Sequence, residues 1–129
     1  MFIIVILKEL NLSNFNTDKV TNMSSMFSGC SSLEELDLSN FNSDKVKDMS
    51  WMFCNCRSLE KLDLSNFKTH NTINMSRMFY KCSSLSKLTF PNFYINNGAD
   101  VQYILDDSPL DETDIPSETL KRIRSIDTD

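Results

Sequence analysis

The chain has 129 residues, about the length of one domain, and 40% of them are hydrophobic, which is enough for a buried core. Its formal net charge of −5 argues against a nucleic-acid partner, because phosphate binding needs a basic face. No apolar run reaches the roughly 18 residues of a membrane-spanning helix, and the apolar start has neither the basic region nor the cleavage site of a signal peptide.

The chain is built on a repeat of 26 residues. The segment NMSSMFSGCSSLEELDLSNF, residues 22–41, occurs again with substitutions at 48–67 and at 74–93. A constant period in the twenties is typical of a solenoid, in which one supersecondary unit stacks on the next. The sequence therefore predicts a repeat domain over residues 1–110. Its units are 7–32, 33–58, 59–84 and a degenerate 85–110.

Each unit contains a short segment in which apolar and polar residues alternate. Alternation of this kind predicts a strand with one buried face. Because one such strand recurs in every unit in the same direction, the sequence predicts a stack of parallel strands. In chain order the segments are Leu10-Asn11-Leu12, Leu36-Asp37-Leu38, Leu62-Asp63-Leu64 and Leu88-Thr89-Phe90.

The second element of each unit is predicted to be a short helix. After Asn22, apolar residues stand at Met23, Met26, Phe27 and Cys30, which is the spacing of one helical face. Asparagine and aspartate are good N-cap residues. The expected architecture is thus an α/β solenoid, a leucine-rich-repeat-like stack with one short parallel strand and one short helix per unit. The equivalent cap positions of the later units hold Asp48, Asn74 and Asp100.

The segments outside the units leave two alternatives each. Residues 111–129 form an acidic tail, or a cap in which 117–126 is a helix with Leu120 and Ile123 on one side. Residues 2–6 are apolar and uncharged and lie beside an open edge of the stack. They either fold over the first unit or mediate self-association, and the sequence predicts self-association through this N-terminal edge.

The run L-x-x-L-D-L-S-N-F-N, followed by V-x-x-M-S-x-M-F-x-x-C-S-S-L, resembles the 26-residue repeat of BspA-like bacterial surface proteins. These leucine-rich-repeat-like proteins also occur in wall-less bacteria and some protists. The resemblance covers residues 7–93 at every landmark position and 94–110 in spacing. It implies a cell-surface or secreted protein that acts in adhesion or protein recognition.

The cysteines and the single histidine argue against metal or catalytic chemistry. Cys30, Cys56 and Cys82 occupy apolar positions of the repeat, so we expect them to be buried, reduced and metal-free. The chain has no C-x-x-C pair and only one histidine, His70, which argues against a zinc site. No nucleophile, base and orienting group come together in the repeat, so the sequence predicts neither an enzyme nor a cofactor.

The polar residues of the strands are expected to form one exposed face of mixed charge. Leucine-rich repeats bind proteins on such regular surfaces. The sequence therefore predicts a non-enzymatic scaffold for protein recognition or adhesion, with a protein partner on this face. The alternative is a structural spacer, or a fragment of a longer array, that binds nothing itself. The predicted binding residues are Glu9, Asn11, Glu35, Asp37, Lys61, Asp63, Lys87 and Thr89.

Overall fold

The structure, a computed structural model, describes residues 7–127. Two parallel pairs of short strands form, β1 with β2 and β3 with β4. Paired residues are 26 apart in the sequence: Leu10 faces Leu36, and Leu62 faces Leu88. The predicted self-association segment, residues 2–6, lies outside the described residues. The elements are β1 (Glu9–Leu10), β2 (Glu35–Leu36), β3 (Lys61–Asp63), β4 (Lys87–Thr89) and α1 (Ser117–Asp127).

The strands lie in two separate sheets, whereas the sequence predicts one stack. Within residues 7–127 no β pairing joins β2 to β3. A second row of parallel bridges continues through every junction, from Asn22 to Asp48, Asn74 and Asp100. Between the second and third units, the backbone nitrogen of Met49 also donates to the Asn74 carbonyl at 2.8 Å. These bonds join the second and third units although β2 and β3 are not paired.

In place of the predicted short helix, each unit has a run of turns, over 24–29, 50–55, 76–81 and 102–107. The second residue of each run has a positive φ, for example 60° at Trp51 and 55° at Arg77. A right-handed helix does not contain this left-handed conformation. The backbone N–H groups point to the neighbouring unit instead, as from Phe27 to the Met52 carbonyl at 2.9 Å. In the described part of the chain α1 is the only helix.

The cap residues act in these turns as well. Asn22 Oδ1 accepts the backbone N–H of Ser24 at 2.8 Å, and Asp48 Oδ1 accepts that of Ser50 at 2.9 Å. A side-chain oxygen that bonds the N–H two residues ahead forms an Asx turn. Asparagine and aspartate at this position therefore start a turn that leads into the left-handed residue.

Columns of aromatic rings run through the core at the repeat period. Phe27, Phe53 and Phe79 stack in sequence, and the ring centroids of neighbours are 5.7 Å apart. Phe53 and Phe79 are fully buried. Phe41 and Phe67 form a second stack at 6.4 Å. Each unit thus contributes its core residues directly against the same residues of the next unit.

Buried hydroxyl groups form another column, which the sequence patterns above did not reveal. Thr17, Ser43 and Thr69 stand 26 apart and are almost wholly inaccessible. Ser43 Oγ donates to the Lys68 carbonyl at 2.9 Å and accepts the Lys68 N–H at 2.8 Å. Thr17 and Thr69 make the same two bonds to the unit that follows them. The equivalent position in the fourth unit is Ile95, which ends the column.

Helix α1 covers the fourth unit. Leu120 and Ile123 are buried in the common core, and Thr119 Oγ1 donates to the Phe93 carbonyl at 2.8 Å. Just before the helix, Asp114 Oδ1 accepts the Leu88 N–H at 3.4 Å. This carboxylate takes the acceptor position that a further parallel strand would supply.

All four cysteines are buried, and none forms a disulfide with another. The thiol of Cys56 donates to the Phe27 carbonyl at 3.2 Å, and that of Cys82 to the Phe53 carbonyl at 3.0 Å. Burial raises the pKa of both thiols, that of Cys82 to about 12. The thiol is therefore the form that the folded chain retains in mildly alkaline solution.

This shift predicts that stability falls as the pH rises above about 9. Unfolded thiols ionise near pH 8.5, whereas the buried thiols keep their protons until the pH approaches the folded-state pKa. The unfolded chain then binds fewer protons, so alkaline pH favours unfolding by up to about 1.4 kcal/mol per thiol and pH unit. Urea denaturation between pH 7 and pH 10 measures the slope.

The control is Cys82→Ala, which should flatten that slope because one shifted thiol is gone. Thiol labelling supplies an independent measurement, since only the thiolate reacts. We expect slow labelling of the native protein and fast labelling of the unfolded chain. Equal labelling rates in both states would contradict burial of these cysteines.

Candidate protein-binding face

The exposed side of the four strands, which we call the strand face, results from the alternation of polar and apolar residues within each short strand. In β3, Lys61 and Asp63 are exposed on either side of Leu62, which is only 3% exposed. This follows from the geometry of a strand, in which successive side chains point to opposite sides. All eight residues predicted from the sequence are exposed: Glu9, Asn11, Glu35, Asp37, Lys61, Asp63, Lys87 and Thr89.

A groove of about 720 Å³ lies on this face. Its walls come from β2, β3 and β4, so it spans the junction where β2 and β3 are not paired. Asp37 lines a smaller adjoining hollow together with Asp63, while Glu9 and Asn11 line neither. The groove therefore brings together five of the eight predicted residues. These are Glu35, Lys61, Asp63, Lys87 and Thr89.

Like charges face each other across both strand pairs. Glu9 is the register partner of Glu35, and Lys61 is the register partner of Lys87. Like charges directly opposite each other on neighbouring strands are destabilising. Within residues 7–127 the only ion pairs involve α1, so none relieves these four charges. At these register positions the face thus has an acidic half, the glutamates of β1 and β2, and a basic half, the lysines of β3 and β4. Asp63 on β3 adds a negative charge to the basic half, and the groove is lined by four acidic residues and two lysines.

Three of the predicted binding residues have a local structural task. Asn11, Asp37 and Asp63 each accept the backbone N–H of the serine two residues ahead, at 2.9 to 3.1 Å. Hydrogen bonds from the hydroxyl and the N–H of Ser65 lower the pKa of Asp63. These side chains hold the turn that follows each strand, so their recurrence in the repeat does not depend on binding.

A second exposed feature was missed by the sequence analysis. Trp51, Arg77 and Tyr103 occupy the same position of successive units, the left-handed residue of each turn run. The Arg77 guanidinium carbon lies 4.7 Å from the Trp51 ring centroid and 4.6 Å from that of Tyr103. We call this arrangement the Trp51–Arg77–Tyr103 column. Its three residue types differ, so only alignment of the units at the 26-residue period could have found it.

The described residues hold no arrangement suited to a metal. No group of three histidine, cysteine, aspartate or glutamate side chains converges within residues 7–127. His70 stacks on Tyr94, with ring centroids 5.5 Å apart. In the same range, no helix has the length and apolar character needed to cross a membrane.

A family model described as "Mycoplasma protein of unknown function, DUF285" matches residues 1–117. The match therefore spans all four units and ends at the first residue of α1. Comparisons with curated proteins and with solved structures gave no match.

Proposed function

Because this chain belongs to the DUF285 family of Mycoplasma proteins, whose function is unknown, we propose its function from its own surface. The protein is a non-enzymatic, leucine-rich-repeat-like solenoid that recognises a partner protein through the strand face. The resemblance of its repeat to that of BspA-like surface proteins supports an adhesive or recognition role at the cell surface.

The solenoid architecture is supported by contacts that recur at the repeat period. Residues that are 26 apart are joined in three ways: by the strand register, by the phenylalanine stacks, and by the bridges that link Asn22, Asp48, Asn74 and Asp100 in turn. Each unit contacts its neighbours in the same way, which is the organisation of repeat proteins. Such a stack presents equivalent positions as a regular surface.

The observation that carries the proposal is that like charges are register partners in both strand pairs, with no ion pair at any of the four charges within residues 7–127. Opposing Glu9 to Glu35 and Lys61 to Lys87 costs the stack up to about 1 kcal/mol at each pair. A partner with one basic and one acidic patch would neutralise both pairs. Complementary charges of this kind raise association rates and select among partners. The groove between the two halves adds a concave surface for a side chain of that partner.

Site-specific photo-crosslinking tests this function. A photoreactive residue in place of Thr89 lies in the groove, whereas the same residue in place of Lys19 lies on an exposed loop outside it. We expect the Thr89 position to capture one defined protein from cell-surface extracts. The double variant Lys61→Glu/Lys87→Glu should lower that capture at least about tenfold, because it reverses the basic half.

Two results of this experiment would contradict a binding function for the strand face. Equal yields from the Thr89 and Lys19 positions, or capture that is indifferent to Lys61→Glu/Lys87→Glu, would argue for the spacer function. One observation favours that second candidate: Asn11, Asp37 and Asp63 are explained by the turns that they hold. A spacer would tolerate reversal of the lysines with no loss other than a small change in stability.

A further inference from the structure

The three residues of the Trp51–Arg77–Tyr103 column share an unfavourable backbone conformation. Each of its residues has a φ between 55° and 60°, a conformation that bulky side chains rarely adopt. Trp51 and Tyr103 are also large hydrophobic side chains that remain exposed, at 37% and 45%. The conformation itself belongs to the repeat, because Ser25 shares it in the first unit, whereas the large side chains are particular to the later units. None of the three lines the groove on the strand face.

The guanidinium of Arg77 is positioned by two aromatic rings but has no polar partner among the described residues. Its central carbon lies over both the Trp51 ring and the Tyr103 ring. Among the described residues its side chain makes no ion pair and no hydrogen bond, so its N–H edge remains open. A planar guanidinium whose faces are stacked presents a fixed fork of donors that matches a carboxylate.

Two more cations lie beside the column. The Lys81 ammonium is 5.3 Å from the centroid of the Tyr80 ring, which itself meets the Trp51 ring edge-on at 6.2 Å. Arg57 and Lys81 line one shallow hollow. Asp107 lines it too, yet it forms no ion pair with either cation in residues 7–127. This cluster is positive on a chain whose net charge is −5.

We propose that the Trp51–Arg77–Tyr103 column, with Lys81 and Arg57, binds an acidic peptide segment of a partner protein. Arg77 takes a carboxylate at its open edge, and the ring edges of Trp51 and Tyr103 contact the flanking aliphatic carbons. Charge complementarity supports this partner. A sugar fits less well, because cations already occupy one of the two faces on which it could stack at Trp51, Tyr80 and Tyr103.

The fluorescence of Trp51 tests the proposal directly, because Trp51 is the only tryptophan in the chain. The full chain is titrated with a short oligoglutamate peptide, with oligoglutamine of the same length, and with acetate at matched ionic strength. We expect a saturable change with oligoglutamate, none with oligoglutamine, and only weak binding of acetate, which offers a single carboxylate.

Variants at the site decide the outcome. Arg77→Gln should weaken oligoglutamate binding about tenfold or more, the usual loss for a charge-assisted contact. Lys45→Gln makes the same charge change on an exposed residue outside the cluster, so it should alter affinity less than about twofold. Should Arg77→Gln impair folding, Lys81→Gln examines the same surface from a residue outside the column, and a loss of several-fold is expected.

Three results would overturn the proposal. One is oligoglutamine binding as tightly as oligoglutamate. Another is an oligoglutamate affinity that neither Arg77→Gln nor Lys81→Gln changes. The third is saturable binding of an acidic oligosaccharide by a protein that ignores the peptide. None of these results concerns the groove on the strand face, so the two proposed functions are tested independently.

Discussion

Replacing Phe53 with alanine is expected to lower the free energy of unfolding by about 3–5 kcal/mol, the usual cost of removing a buried phenylalanine ring. Phe53 is fully buried and stacks on Phe27 and on Phe79, each at 5.7 Å. Its loss leaves a cavity between the first and third units and removes two ring contacts together. Urea denaturation followed by circular dichroism measures the change.

Phe15→Ala is the matched control. Phe15 is also a landmark of the repeat, but its side chain is 57% exposed. Surface substitutions usually change stability by no more than about 0.5 kcal/mol. The same chemical change should thus have a small effect at Phe15 and a large one at Phe53. Similar losses at both positions would show that Phe53 does not fill the core as the structure has it.

Thr69→Val is expected to destabilise the protein by about 1–3 kcal/mol, although valine has nearly the shape of threonine. The Thr69 hydroxyl donates to the Tyr94 carbonyl and accepts the Tyr94 N–H, both at 2.6 Å. Thr69 is fully buried, so no water replaces these bonds when the hydroxyl is removed. A buried backbone group left without a partner bears its full desolvation cost.

Thr72→Val provides the comparison for this substitution. Thr72 is equally buried, but its hydroxyl makes a single bond, to the Val46 carbonyl at 3.0 Å. The equivalent residues of the first two units, Val20 and Val46, are already valines. We therefore expect a loss well below that of Thr69→Val in the same denaturation experiment. A larger loss at Thr72 than at Thr69 would contradict the structural role given to the hydroxyl column.

The repeat period made the strands and the core predictable, but not the backbone between them. Apolar residues at the spacing of Met23, Phe27 and Cys30 suit a helical face, and they equally suit a run of turns whose second and last residues are left-handed. Glycine usually marks that conformation. Gly29 marks it at the last position of the first run, whereas the second position holds Ser25 and Trp51, so the sequence carries no such mark there.

The candidate site was predictable to a similar extent. Alternation in the strands placed Lys61 and Asp63 on the exposed side, and the period opposes Lys61 to Lys87. The unpaired edge between β2 and β3 could not be foreseen, because Leu36 and Leu62 occupy identical positions with similar neighbours. Such an edge depends on small differences in how whole units pack, and no single residue in the sequence indicates those differences.

The hydroxyl column also determines how the units relate to one another as modules. The second and third units both receive the paired bonds from the unit before and pass them to the unit after, through Ser43 and Thr69. They are interchangeable parts in this respect, and either could be duplicated without breaking the connection. The fourth unit receives the bonds at Tyr94 but holds Ile95 where a hydroxyl would pass them on. The hydroxyl column accordingly has a direction, since each hydroxyl bonds the unit that follows it, and the column ends at the fourth unit.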